Sequence, residues 1–142
     1  MWKAWVVVTL LCAAGCRASQ PASPSSALDG SWTGTIGPET GGSGQLVLTL
    51  RQVGPGVSGE WTATFADAGL NRSGIVSGTV TASTATLFLT PQVGINCGGV
   101  TLSGTLGLTV AIDGDHLVGR YSVLTCSSAT AGTVDVRKTG GL

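Results

Sequence analysis

One histidine, the aspartates just before it and four cysteines are the side chains of this chain best equipped for chemistry. His116 directly follows Asp113-Gly114-Asp115, and a hydrolytic constellation would pair it with a nucleophile such as Ser122. A histidine at a hairpin turn is ordinarily exposed, so no catalytic residue is expected here. Asp113 and Asp115 offer oxygen to calcium but lack the further ligands that a dedicated loop supplies. An Asp-Gly turn is explained by backbone geometry alone. The cysteines form no C-x-x-C pair and have no neighbouring histidine, which leaves zinc or dithiol redox chemistry without support. No metal and no cofactor are expected.

The cysteines acquire meaning from where they stand. Cys16 ends an apolar segment, Trp5 to Gly15, that follows a positive charge at Lys3. A charged start, a short apolar stretch and small residues at its end make a secretory signal rather than a membrane span. The ending Ala13-Ala14-Gly15-Cys16 resembles the lipobox of bacterial lipoproteins. That resemblance implies removal of residues 1–15, lipidation of Cys16 as the mature N-terminus, and a cell-envelope protein held on a membrane by its lipid. In a host with two membranes this would be the outer membrane, on its periplasmic or surface side. The alternative is an ordinary signal cleaved nearby. A bacterial signal also removes the relevance of the glycosylation sequon Asn71-Arg72-Ser73.

With Cys12 inside the signal and Cys16 lipidated, Cys97 and Cys126 remain as an even pair in an oxidising compartment. A disulfide between them would close a loop of about 30 residues and contribute on the order of 3 kcal/mol. Charged residues are only 10% of the chain and the formal net charge is zero, so nothing basic is available for a nucleic-acid partner. Twenty-three glycines, nineteen threonines and many valines, with 42% apolar residues, describe a folding all-β domain.

Three regions follow. Residues 1–15 are the signal. Residues 16–27 are the lipidated cysteine and a tether of serine, proline and alanine, too poor in apolar surface to fold. Residues 28–142 are the domain. It carries a repeat, apolar-x-Gly-x-apolar, centred on Gly34, Gly59, Gly78, Gly104 and Gly119. Strand side chains alternate, so each of these glycines shares a face with the apolar residues and lets its strand coil tightly.

Eight strands are predicted near 31–37, 45–53, 57–66, 74–82, 85–90, 100–112, 116–125 and 132–138. Tight turns at Gly54-Pro55-Gly56, Ser83-Thr84 and Asp113-Gly114-Asp115 alternate with longer connections. An eight-stranded antiparallel up-and-down barrel is therefore expected, soluble, with its long loops at one end and both termini at the other. Parity places Trp32, Ile36, Leu46, Leu48, Leu50, Val57, Trp61, Val76, Leu87, Leu89, Leu102, Leu108, Leu117, Tyr121, Val134 and Val136 inside and a threonine-rich wall outside. The inverted arrangement, an outer-membrane barrel with a polar lumen, is disfavoured by short strands and by aromatics at only 5%.

Gly30-Ser31-Trp32 at the start of the first strand resembles the G-x-W opening of calycins, the lipocalin and avidin-like barrels. The resemblance implies a cation from the last strand packed across the tryptophan, and parity selects Lys138 over Arg137 for a contact with Trp32 that closes the barrel. No avidin-type biotin site is implied. The expected function is a non-enzymatic, membrane-anchored structural or protein-interaction module that presents its loops away from the membrane, with an envelope protein as its partner. The alternative is a carrier of a small hydrophobic ligand, and a lesser one is a protease-inhibitor-type barrel.

Overall fold

A computed structural model describes residues 27–39 and 42–141. The expected signal, Cys16 and all of the expected tether but Ala27 lie outside the described residues. Among the described residues there are ten strands: β1 (Gly30–Pro38), β2 (Gly44–Val53), β3 (Gly56–Thr64), β4 (Arg72–Thr81), β5 (Thr84–Pro91), β6 (Ile95–Asn96), β7 (Thr101–Leu102), β8 (Leu106–Asp113), β9 (His116–Leu124) and β10 (Ala129–Gly140). Eight of them close an antiparallel barrel in the order β1-β10-β9-β8-β5-β4-β3-β2, while β6 and β7 form a separate small ribbon. Each barrel strand neighbours the next one along the chain, with the ribbon as an excursion between β5 and β8. This is the up-and-down topology.

The alternation of side chains produces the core. Along β2, Leu46, Leu48 and Leu50 are buried while Gln45, Thr49 and Arg51 are exposed. The same parity in the other strands packs Trp32, Ile36, Trp61, Val76, Leu87, Leu89, Leu108, Val110, Leu117, Tyr121, Val134 and Val136 together. Phe65, Val80, Leu106 and Val123 are partly buried against this cluster.

Four of the repeat glycines make so narrow a barrel possible. A Cβ at Gly34 would collide with the carbonyl oxygen of Asp135, at Gly59 and Gly119 with those of Thr49 and Thr109, and at Gly78 with that of Thr86. The colliding atoms are backbone of the neighbouring strand, so the strands coil inward only where the side chain is absent. Aromatic rings cover two further glycines: Phe65 lies over Gly44 and Tyr121 over Gly132.

The fifth repeat glycine behaves differently. Gly104 adopts φ +67°, left-handed backbone that no extended strand contains. The strand expected over 100–112 is therefore broken. Thr101–Leu102 belongs to the ribbon, Ser103 to Thr105 belong to no strand, and the barrel strand begins at Leu106. Leu102 consequently packs outside the core that its parity predicted. Smaller differences lie at strand ends: β3 stops at Thr64, and β10 starts at Ala129, three residues before the expected position.

Candidate functional site

The barrel has two unlike ends. At one lie the turns Gly54-Pro55, Ala82-Ser83 and Gly114-Asp115, together with the chain's entry at Ala27 and the end of β10. The other carries the connections 65–71, 92–105 and 125–128, together with Glu39 at the end of β1 and Gly42-Ser43 ahead of β2.

The turn-bearing end is closed by the residues that lead into β1. Leu28 is completely buried and acts as a plug. Its N–H donates to Gln52 Oε1 (3.2 Å), its carbonyl accepts from Trp32 Nε1 (3.0 Å), and Gln52 Nε2 donates to the carbonyl of Gly54 (3.0 Å). Asp29 Oδ1 accepts from the N–H of Gln52. Lys138 Nζ lies 5.3 Å from the centroid of the Trp32 ring and donates to the carbonyl of Ala27 (3.2 Å). Arg137 instead pairs with Thr33 and is exposed. Plug and last strand thus lock the seam between β1 and β10. Leu28 and Gln52 were missed by sequence reasoning, although Gln52 occupies an inward position in the run Leu46, Leu48, Leu50. A polar residue at that parity marks a buried hydrogen-bond partner.

Among the polar candidates, His116 and Ser122 sit toward opposite ends of β9, roughly 20 Å apart at strand spacing, and are not brought together. His116 Nε2 lies 2.6 Å from Asp135 Oδ1 on the outer wall. Asp113 pairs with His116 across β8 and β9. Among the described residues no group of three or more His, Cys, Asp or Glu side chains is placed to hold a metal. Tyr121, buried in the core near the open end, has its phenol pKa raised by that burial.

The open end is stapled. Cys97 and Cys126 form a disulfide with Cα atoms 5.3 Å apart, joining the 92–105 excursion to the 125–128 connection. Within the first, the N–H of Cys97 donates to the carbonyl of Val100 (2.7 Å); within the second, the N–H of Thr125 donates to that of Ser128 (2.9 Å). Exposed apolar side chains project there from three segments: Leu70, Val93, Val100 and, at the end of β9, Leu124.

The 65–71 connection is braced by its own side chains. Asp67 accepts from the N–H of Gly69 (2.9 Å) at a single 3₁₀ turn, Ala68–Leu70, and Asn71 Oδ1 accepts from the N–H of Phe65 (2.7 Å). Arg72 Nη1 donates to the carbonyls of Gly69 (2.9 Å) and Asn71 (2.8 Å). Beside it, the N–H of Gln92 donates to the carbonyl of Ser73 (2.9 Å) and carries the chain over β4. A cleft of about 490 Å³ lies between these segments, lined by Thr62, Thr64, Asn71, Arg72, Ser73 and Gln92 among others. A second, of about 440 Å³, lies at the closed end beside Ala27, Pro55 and Ile112.

No protein-family model matches this chain, and neither does any curated protein sequence. Among solved structures it is similar to a redesigned β-barrel, with 16% sequence identity and a TM-score of 0.58 over 82% of this chain and 96% of the other. At that identity the likeness bears on the fold alone.

Proposed function

We propose that this protein is a lipid-anchored module of the bacterial cell envelope, held on a membrane through Cys16, whose barrel is a rigid, non-enzymatic platform presenting its open-end loops to a protein partner. One observation carries the reading: the 65–71, 92–105 and 125–128 connections, the disulfide and the exposed Leu70, Val93 and Val100 lie at the end opposite Ala27, where the chain arrives from its N-terminal segment. A tether entering there turns the closed end toward the bilayer and the loops away from it. Binding residues concentrate on loops held by a rigid scaffold, and this scaffold is stiffened by closure, plug and disulfide.

The packing of the interior favours display over carriage of an apolar ligand. Trp32, Leu46, Leu50, Leu87, Leu89 and Leu117 are 0% exposed, so no water-sized void touches them. A carrier of a hydrophobic molecule needs a connected cavity of roughly 300 Å³ or more. The test of the anchor is fractionation of host cells expressing the protein or its Cys16→Ser variant. The native protein is expected in the membrane fraction and the variant in the soluble envelope fraction. A native protein that is already soluble would overturn the anchoring half of the reading.

A further inference from the structure

We infer that the open-end cleft around Arg72 is a binding site for a carboxylate group of a peptide. This rests on the proposal that the open end meets a protein partner, and it names the chemistry by which that partner is held.

Arg72 stands at an inward-parity position, paired with Ala63 at the last rung between β3 and β4, yet it is exposed. The strand delivers a cation to the rim of the barrel where the pattern calls for an apolar residue. Its Nη1 is fixed by the carbonyls of Gly69 and Asn71, so the guanidinium is oriented before any ligand arrives. Among the described residues it forms no ion pair, in contrast to Arg120, which pairs with Glu39. Those two carbonyls engage only Nη1, and the remaining N–H donors of the planar group are open to a carboxylate, the anion whose geometry it matches.

The rest of the lining agrees. Asn71 Oδ1 is taken by the N–H of Phe65, which leaves the amide nitrogen of Asn71 as a donor. Thr62, Thr64 and Ser73 add hydroxyls, and Gln92 adds a second side-chain amide. Among the described residues no acidic side chain lines the cleft. Donors thus outnumber fixed acceptors around a single positive charge. A volume of about 490 Å³ lies within the usual range for small-ligand sites, enough for a short stretch of peptide. Val93, exposed beside the cleft, supplies an apolar contact for an aliphatic residue next to the carboxylate. The bracing of the 65–71 connection keeps this arrangement in place without a ligand, so little ordering entropy is lost on binding.

The test is NMR titration of the full-length, isotope-labelled protein in detergent with N-acetyl-Val-Ala carrying a free C-terminal carboxylate, beside the same dipeptide as its C-terminal amide. Sodium sulfate at matched ionic strength controls for screening. The free carboxylate is expected to shift the Arg72 side-chain N–H and the Asn71 and Gln92 amide signals saturably, with the amide form about tenfold or more weaker. Arg72→Gln should abolish these shifts, while Arg72→Lys, which keeps the charge but not the planar fork, should retain weakened binding. Equal binding of the two dipeptides, equal shifts with sulfate, or unchanged affinity in Arg72→Gln would overturn the inference. Each variant's dispersed spectrum verifies that it is folded. Because the readout is independent of Cys16 and of the membrane, failure here leaves the anchoring result standing.

Discussion

Replacing Gly34 with alanine adds one methyl group at a place where the barrel has no room for it. The new Cβ would lie 2.7 Å from Val136 Cα and closer still to the carbonyl oxygen of Asp135, both backbone atoms of β10. Gly34 pairs with Val136 in the seam that closes the barrel, so relief requires β1 and β10 to part. Forcing an extra carbon into a packed site costs about 1–3 kcal/mol, and a backbone obstacle places this case at the upper end. Alanine also restricts the unfolded chain, which offsets about 0.4–1 kcal/mol. The net expectation is a loss of about 2–2.5 kcal/mol.

Gly107→Ala is the matched comparison, because the nearest atoms to its Cβ are 3.9 and 4.0 Å away. There the unfolded-state term acts alone and the variant should gain about 0.4–1 kcal/mol. Urea unfolding followed by tryptophan fluorescence should separate the two variants by about 3 kcal/mol, which is a gap of roughly 10 °C or more in Tm. If the two have the same midpoint within about 0.5 kcal/mol, tight coiling at the repeat glycines is not what shapes this barrel.

Three further outcomes are expected. Converting both Cys97 and Cys126 to serine should cost on the order of 3 kcal/mol in urea melts of the oxidised protein, and a smaller loss would mean the open end is ordered without its staple. Lys138→Gln should cost about 0.5–2 kcal/mol, and Trp32→Phe should remove most of the difference between Lys and Gln in a double-mutant cycle; additive losses would deny the cation–π contact. Tyr121 is the single tyrosine, and burial raises its pKa above the ordinary 10.0. Below pH 10 the phenol is neutral in both folded and unfolded chains and its contribution is fully present. As pH rises past that value the unfolded state ionises first, so stability falls until the folded pKa is passed. Tyr121→Phe should flatten this alkaline loss in urea melts across the same range, and an unchanged slope would contradict it.

The features that could be read in the sequence are those governed by strand parity and connection length. Period-two alternation marked the apolar face through Leu46, Leu48 and Leu50, and alternating turn lengths placed Cys97 and Cys126 at one end. Gly104 was misread because its local pattern, Leu102-Ser103-Gly104-Thr105-Leu106, is the same as that of the coiling glycines. Only its left-handed φ, imposed where the excursion rejoins the barrel beside Ile95 and Pro91, separates it from them. Leu28 precedes the first strand and has no parity, so its role as a plug depends on Gln52, which lies 24 residues away. The Arg72 cleft was hidden for a similar reason. It is made by carbonyls of one loop and by a neighbouring segment that arrives through β5, and neither leaves a trace in local spacing.

The orientation of the barrel is open to direct measurement in living host cells with a photo-activatable side chain at single positions. Val93 and Val100, 74% and 63% exposed, report on the open end, and Val53, 76% exposed, reports on the closed end. Protein adducts from positions 93 and 100, with lipid adducts from position 53, are the predicted result. Protein adducts from position 53 with none from 93 or 100 would contradict the account.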